Sequence, residues 1–533
     1  MQPFRTLTVI ALDPSVRRGN RILTARIRVP REALGPGPRG YRAYVVDYDT
    51  SAGVLYEPFT PPEEDLFAGV PGSRLLKDPR FHAQNVYAIV MRILGRFESA
   101  LGRRVPWSFG GHQIKIAPHA FLGSNAFYSR EHEALLFGYF PSRSGRGMVY
   151  TCLSHDVIAH ETTHALLDGL RDRYREPSGP DQAGFHEGFA DLVSTLSVFS
   201  LPEVVAVALD DKPGARGWRL RSSALLSIGK EIGREIGNHC SGCLRRPAQL
   251  QPSPAWLRHP EFQSAHQRGE VLTAAMLDTF LSVWEGKIRS LSRGQERLLD
   301  RGQLIELGAR IAEALLTVSI RALDYAPPTD IRFSDYLSAL LTADWEIAGV
   351  DAEFQLRQFL RDSFARYGIR PTAQGRRCPE PGVWPPPAVE LDYTGANHEA
   401  MQRDPNEVFR FLWQNRRPLG LLEEAYVRVG SVRPCTRVNP DGFVVRETVA
   451  DYVQVLPLRA GELARLPGRI RKPSGMPDRV AVTLYGGASL IFDEHGKLKY
   501  HIQNALLDGP RQTARLRHLW RTGYFDGEEN ATA

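Results

Sequence analysis

The chain has 533 residues, of which 42% are hydrophobic and 24% are charged, proportions that are ordinary for a soluble globular protein. It contains no run of 18 apolar residues, and its net charge of +7 comes mainly from arginines scattered among acids. We therefore expect neither a membrane span nor a nucleic-acid interface. The start lacks the apolar region and cleavage site of a signal peptide, and five cysteines is a low, odd count. Both features predict a cytoplasmic protein.

The first predicted elements are strands in a β-rich N-terminal region, residues 1–74. Runs of β-branched and aromatic residues, separated by Gly/Pro turns, predict the strands LTVIAL, ILTARIRV and YRAYVVDYD. Apolar residues at helical spacing then predict a helix from Phe81 to Leu101. From Gly123 to Phe140 apolar residues alternate around a turn, which predicts two strands of a sheet. An exposed edge strand there would bind an extended peptide through backbone hydrogen bonds.

The stretch from Ser154 to Asp191 carries the clearest chemical signal. His160, Glu161 and His164 form an H-E-x-x-H motif, and residues four apart share one face of a helix. That geometry suits two nitrogen ligands of one zinc ion, with the glutamate beside them to move a proton. A second predicted helix carries Glu187 and Asp191, again four apart. Glu187 can supply a third ligand, and Asp191 can accept the free ring N–H of a ligating histidine.

The segment HDVIAHETTHALLDG, followed by HEGFADLVSTL, resembles the thermolysin family of gluzincin metallopeptidases, whose motif is H-E-x-x-H and then E-x-x-x-D. The resemblance covers roughly residues 81–369. It implies an α+β fold of two lobes, one β-rich and one helical, with one zinc ion per chain between them. From His164 to Glu187 there are 187 − 164 = 23 positions, a few more than in thermolysin, and the extra residues fall in the loop 177–182.

The resemblance also implies roles for residues around the motif. N-A-F-Y at residues 125–128 is similar to the family's N-A-F-W substrate strand, with Tyr128 in place of Trp. The implied substrate-binding residues are Asn125, Ala126, Arg245 and Val157. The implied residues at the developing oxyanion are Tyr174 and His266, with Glu261 orienting the histidine.

Two other metal sites are less favoured by the sequence. Asp156 matches one calcium ligand of the family, but Val198 stands where the family has an acid, so the double calcium site is not expected. Cys240 and Cys243 form a single CxxC, which would need further ligands from elsewhere to hold a structural zinc. Plain reduced thiols are the preferred interpretation.

The chain is too long for one core, and four regions are predicted: 1–74, a β-rich region; 75–190, with the substrate strand and zinc helix; 191–372, a helical lobe; and 373–533, a Pro/Gly-rich linker with a small α+β domain. A chain ending near Ile369 is expected to fold alone.

The predicted function is a zinc endopeptidase acting on peptides or proteins, with Glu161 as general base. The alternatives are a zinc aminopeptidase, whose G-x-M-E-N pattern is absent, and a non-catalytic zinc-containing binding protein, which the presence of Glu161 disfavours.

Overall fold

The structure is a computed structural model that describes residues 3–19, 21–142, 147–209, 250–293, 300–348, 353–439 and 442–526. Helices and strands both contribute to it, which confirms the predicted α+β class. Within these ranges no single helix is long and apolar enough to cross a membrane. The bent pair Pro180–Phe199 and Pro202–Ala208 passes that test together, by length and composition only.

The described strands of the first half of the chain are β1 (Phe4–Ile10), β2 (Arg17–Arg18), β3 (Arg21–Ile22), β4 (Thr24–Pro30), β5 (Ala43–Val45), β6 (Tyr48–Asp49), β7 (Val54–Leu55), β8 (Ile114–Leu122), β9 (Ala126–Ser129), β10 (Ala134–Pro141) and β11 (Met148–Tyr150). Five of them, β5, β8, β9, β10 and β11, form a mixed sheet, whereas β1 with β4, β2 with β3 and β6 with β7 form separate two-stranded pairs. β5 and β10 run parallel to β8, and β9 and β11 pair antiparallel with β10. The predicted strands are confirmed. Because β5 joins this sheet, the expected boundary at residue 74 divides a sheet rather than separating two units.

Strand β9 lies at an edge of this sheet. Among the described strands it pairs with β10 alone. The loop before it approaches β10 closely: the Gly138 N–H donates to the Asn125 carbonyl at 2.9 Å. A Cβ at residue 138 would lie 2.3 Å from the Gly123 carbonyl oxygen, so only glycine permits this approach. The edge strand is thereby held in register beside the helix that follows.

Within the described part of residues 191–372 the regular elements are helices, as predicted. These helices and those that precede them in the chain, together called the central region, are α1 (Gly72–Leu75), α2 (Pro79–Leu101), α3 (His155–Leu170), α4 (Pro180–Phe199), α5 (Pro202–Ala208), α6 (Ala265–Arg293), α7 (Arg301–Arg321), α8 (Phe333–Ala348) and α9 (Leu356–Arg366). Short 3-10 turns lie at Thr151–Leu153, Asp172–Arg175, Trp256–Arg258, Pro260–Gln263 and Ala322–Tyr325. α4 and α6 cross so closely that a Cβ on Gly269 would lie 2.7 Å from the Gly188 nitrogen. This crossing brings the start of α6 next to Glu187.

The C-terminal region forms a second, antiparallel sheet with helices, as the sequence predicted. Its elements are α10 (His398–Met401), α11 (Pro405–Gln414), β12 (Tyr426–Val438), β13 (Val444–Arg459), a 3-10 turn (Ala460–Arg465), β14 (Ala481–Phe492), β15 (Leu498–Asn504) and α12 (Gly509–Arg521). The strands lie in the order β12-β13-β14-β15, so each pairs with its neighbour in the chain.

This second sheet shares a core with the helical region. Its buried side chains Cys435, Val449, Ile491, Tyr500 and Ile502 belong to the same hydrophobic cluster as the helices of the central region. Buried ion pairs also cross the junction: Arg437 contacts Asp324, and Arg511 contacts Asp330 and Asp335. These contacts speak against the expectation that a chain ending near Ile369 folds alone.

Candidate metal centre

Three side chains from two helices meet at one point. His160 and His164 project from the same face of α3, and their Nε2 atoms are 2.9 Å apart. Glu187, on α4, places its Oε2 atom 3.7 Å from the Nε2 of His160 and 3.8 Å from the Nε2 of His164. One potential ligand atom from each residue lies within 4.8 Å of the other two. These are the residues that the motif spacing predicted as ligands.

Asp191 lies behind the first of these histidines. Its Oδ1 atom is 2.8 Å from His160 Nδ1, a distance that suits donation of the ring N–H to the carboxylate. A proton on Nδ1 leaves Nε2 with a lone pair, directed at the group of facing atoms. Two imidazole nitrogens and a carboxylate oxygen that face one another repel unless a cation lies between them. The donor set and its supporting carboxylate therefore fit a zinc ion.

Burial and neighbouring charges shift the pKa values in this group. Burial raises the pKa of Glu161 to about 7, against the opposing effect of the His160 charge. Burial disfavours the charged form of His160, but its hydrogen bond to Asp191 and the nearby carboxylates raise its pKa to about 10. Burial and the charge on His160 lower the pKa of His164 well below its usual value. The carboxylates around His160 thus favour positive charge at this point of the molecule.

Glu161 is held by the edge strand of the mixed sheet. Its Oε2 atom accepts a hydrogen bond of 2.9 Å from the Tyr128 backbone N–H on β9. In a strand, the backbone groups of residues i and i+2 point to the same side. The N–H and C=O of Ala126 therefore point to the side on which Glu161 lies, away from β10. Asn125 precedes the strand and is exposed.

The structure also brings His266 to this point. It lies in the first turn of α6, and its Nδ1 atom is 3.2 Å from Oε2 of Glu187. Val157 is half-buried on α3, one turn before Glu161. Glu261 is exposed in the 3-10 turn Pro260–Gln263, and its orienting action on His266 stays a prediction.

Tyr174 is not where the resemblance implied. Its side chain is 2% exposed, and its hydroxyl donates to the Pro327 carbonyl at 2.7 Å. The ring packs edge-on against Phe185, with ring centroids 5.5 Å apart, so apolar burial holds it in the core. The hydroxyl is therefore already engaged, which argues against its role at the oxyanion. Arg245 lies outside the described residues, as do Cys240 and Cys243.

Two residues that the sequence reading missed support the second histidine. The ring of His186 stacks on that of His164 with a centroid separation of 4.6 Å and an interplanar angle of 15°. His186 Nε2 lies 2.8 Å from Oδ1 of Asp168, which is one helical turn after His164. The available signals were the position of His186 next to Glu187 and the four-residue spacing from His164 to Asp168. Both are ordinary in amphipathic helices.

The C-terminal region forms one wall of a cavity beside this group. The cavity is lined on one side by Tyr174, Ala183, His186, Glu187 and Ala265, and on the other by residues of α12 and the segment after it: His518, Leu519, Thr522 and Tyr524. Sequence reasoning found no chemistry in the C-terminal region. The structure shows that this region shapes the space next to a predicted ligand.

Replacing Asp191 by Ala should weaken zinc binding about 10–100-fold, the usual effect of removing the carboxylate behind a ligating histidine. The reason is that His160 would lose the acceptor that fixes its ring orientation and its Nδ1 proton. Competition with a chromogenic chelator measures the change. Asp191→Asn retains an acceptor oxygen and should lose less affinity. Equal affinity in all three proteins would contradict this role for Asp191.

Comparison of the chain with models of known protein families and with curated protein sequences finds no match.

Proposed function

We propose that this protein is a zinc-dependent endopeptidase with a two-lobed, thermolysin-like catalytic region. The observation that carries the proposal is the convergence of His160, His164 and Glu187 beside a buried glutamate that contacts an edge strand. The three proposed ligands come from two helices, and Glu161 is not a ligand. A purely structural zinc site has no need of such a carboxylate.

The residues of the chain divide the reaction between them. Zinc bound by His160, His164 and Glu187 would supply a Lewis acid. Glu161 would accept a proton from the attacking water and later deliver it to the leaving nitrogen, so the proton count balances when the peptide bond breaks. The Tyr128 N–H holds one oxygen of Glu161 and leaves the other for the water. His266 would donate a hydrogen bond to the oxyanion of the tetrahedral intermediate.

The position of strand β9 favours a peptide over a small molecule as the substrate. Its outer edge is the side toward which Ala126 and the Glu161-bound Tyr128 N–H point. An extended peptide that added to this edge would pass directly in front of Glu161. Such an edge binds the middle of a chain as well as its end, which favours cleavage within the chain. Asn125, Val157 and Arg245 are the proposed further contacts to substrate.

The test is turnover of an internally quenched peptide with a blocked amino terminus. We expect cleavage that stops when zinc is removed by a chelator and returns when zinc is restored, and no cleavage by His160→Ala. Cleavage only of peptides with a free amino terminus would instead indicate an aminopeptidase. No cleavage of any peptide by zinc-loaded protein would indicate the non-catalytic binding protein.

A further inference from the structure

A second group of metal-binding side chains is buried in the N-terminal half of the chain. His82 lies in the first turn of α2, His119 in β8, and Cys152 in the 3-10 turn before α3. Their exposed fractions are 2%, 6% and 0%. A potential ligand atom of each lies within 4.8 Å of those of the other two. None of these residues takes part in the proposed peptidase mechanism.

Hydrogen bonds fix which nitrogen of each ring carries a proton. Nε2 of His82 lies 3.1 Å from the Leu76 carbonyl oxygen, which can only accept, so this nitrogen carries a hydrogen. Nδ1 of His119 lies 2.7 Å from the Asp47 carboxylate, which likewise accepts. The same carboxylate also accepts the His119 backbone N–H at 2.9 Å, which holds it in place.

The two inner nitrogens therefore face each other as lone pairs. Nδ1 of His82 and Nε2 of His119 are only 2.8 Å apart, and both rings are buried. Two lone pairs at this distance repel, so a cation has to lie between them, either a shared proton or a metal ion. The two histidines of the candidate metal centre show the same arrangement, with facing nitrogens 2.9 Å apart.

The nearby sulfur favours the metal over the proton. A shared proton has no use for a third donor, whereas two imidazoles and a thiolate are a common part of zinc sites. The charges also balance, because Zn²⁺ with one thiolate and the Asp47 carboxylate sums to zero, which suits a buried cluster. In a tetrahedral site with zinc–nitrogen bonds of about 2.0–2.1 Å, the two nitrogens would separate to about 3.3 Å. That requires a movement of only about 0.5 Å from the separation in the structure.

We infer that His82, His119 and Cys152 bind a structural zinc ion. The chain then binds two zinc ions rather than the one predicted from sequence. Cys152 would supply the thiolate of this second site, whereas plain reduced thiols stay the prediction for Cys240 and Cys243. The Leu76 carbonyl and the Asp47 carboxylate act as the supporting acceptors that orient ligating histidines.

This ion would join three separate segments at the entry to α3. Cys152 stands two positions before Ser154, the N-cap residue of α3, and its carbonyl accepts a 2.9 Å hydrogen bond from the Asn85 side chain on α2. The metal would add a bond between the first turn of α2, the middle of the mixed sheet and the chain that enters α3. It would thus stabilise the position of the helix that carries His160 and His164.

The experiment uses the purified full chain and two readouts. Metal analysis should give two zinc ions per wild-type chain, one in Cys152→Ser and one in His160→Ala. After replacement of zinc by cobalt(II), the wild type should show a thiolate-to-metal charge-transfer absorption band. His160→Ala should keep that band and Cys152→Ser should lose it, because the candidate metal centre contains no sulfur ligand.

Three controls separate Cys152 from the other four cysteines of the chain. Cys435→Ser removes another buried thiol, which donates to the Glu447 carbonyl, and should keep both the metal count and the band. The double variant Cys240→Ser, Cys243→Ser and the single variant Cys378→Ser should keep them as well. If Cys152→Ser does not fold, the wild type and these controls still decide the question.

One zinc ion in the wild type and no sulfur band would overturn the inference and leave the two histidines sharing a proton. Loss of the band in the Cys240→Ser, Cys243→Ser variant would overturn it too, because the thiolate site would then be the CxxC pair. Neither readout depends on peptidase activity, so the proposed function stands or falls separately.

Discussion

Glu161→Gln should leave zinc content and melting temperature close to those of the wild type while peptidase activity falls by about 10²–10⁴-fold. The amide has the size and polarity of the carboxylate, and its oxygen can still accept the Tyr128 N–H that holds Glu161 at 2.9 Å. It cannot accept a proton from the attacking water. Because Glu161 is not a proposed ligand, the change removes the base without disturbing the metal. Zinc analysis, thermal melting and kcat/KM on one peptide measure the three quantities.

His266→Ala is the matched control. It removes a single donor to the oxyanion, so activity should fall by about 10²–10³-fold, in kcat more than in KM, with zinc content unchanged. Loss of metal in Glu161→Gln would show that Glu161 is a ligand and that the division of roles is wrong. Full activity with full zinc content would show that the reaction needs no base at this position, and the bound metal would then be structural.

A chain that ends at Ile369 should fail to give soluble, cooperatively melting protein. The truncation removes Arg437, one of the two guanidinium partners of buried Asp324, the other being Arg103. It also removes Arg511, the partner of Asp330 and Asp335. Loss of one partner of a buried ion pair typically costs about 3–5 kcal/mol, and a whole domain is stable by only about 5–15 kcal/mol. The truncation would also uncover the apolar surface on which the second sheet packs.

Two single substitutions in the full chain test the same reason without deleting the sheet. Arg437→Ala should lower the free energy of unfolding by about 3–5 kcal/mol, because both partners of the pair are 2% exposed. Arg310→Ala breaks an ion pair with Glu353 whose side chains are 63% and 57% exposed, and should change stability by less than about 1 kcal/mol. Denaturant unfolding compares the two variants. A stable truncated chain, or equal effects of the two substitutions, would mean that the second sheet does not stabilise the central region.

The sequence determined the features that depend on local geometry. The spacing of His160, Glu161 and His164 needs only the helical repeat to put the two imidazoles on one face, and the structure has them 2.9 Å apart. The four-residue spacing of Glu187 and Asp191 likewise predicted that both side chains lie on one face of α4. Alternation of apolar residues after Gly123 was likewise enough to predict β9 and β10.

Only the tertiary structure decided the features that depend on distant parts of the chain. Tyr174 is ten residues from His164, but the packing of its ring on Phe185 and its bond to Pro327 hold its hydroxyl in the core. The wall that α12 contributes beside Glu187 has no local signal, because it depends on how the second sheet docks. His82 and His119 are 37 positions apart, and Cys152 lies farther along still. No periodicity links residues that meet only when a helix, a strand and a turn pack together.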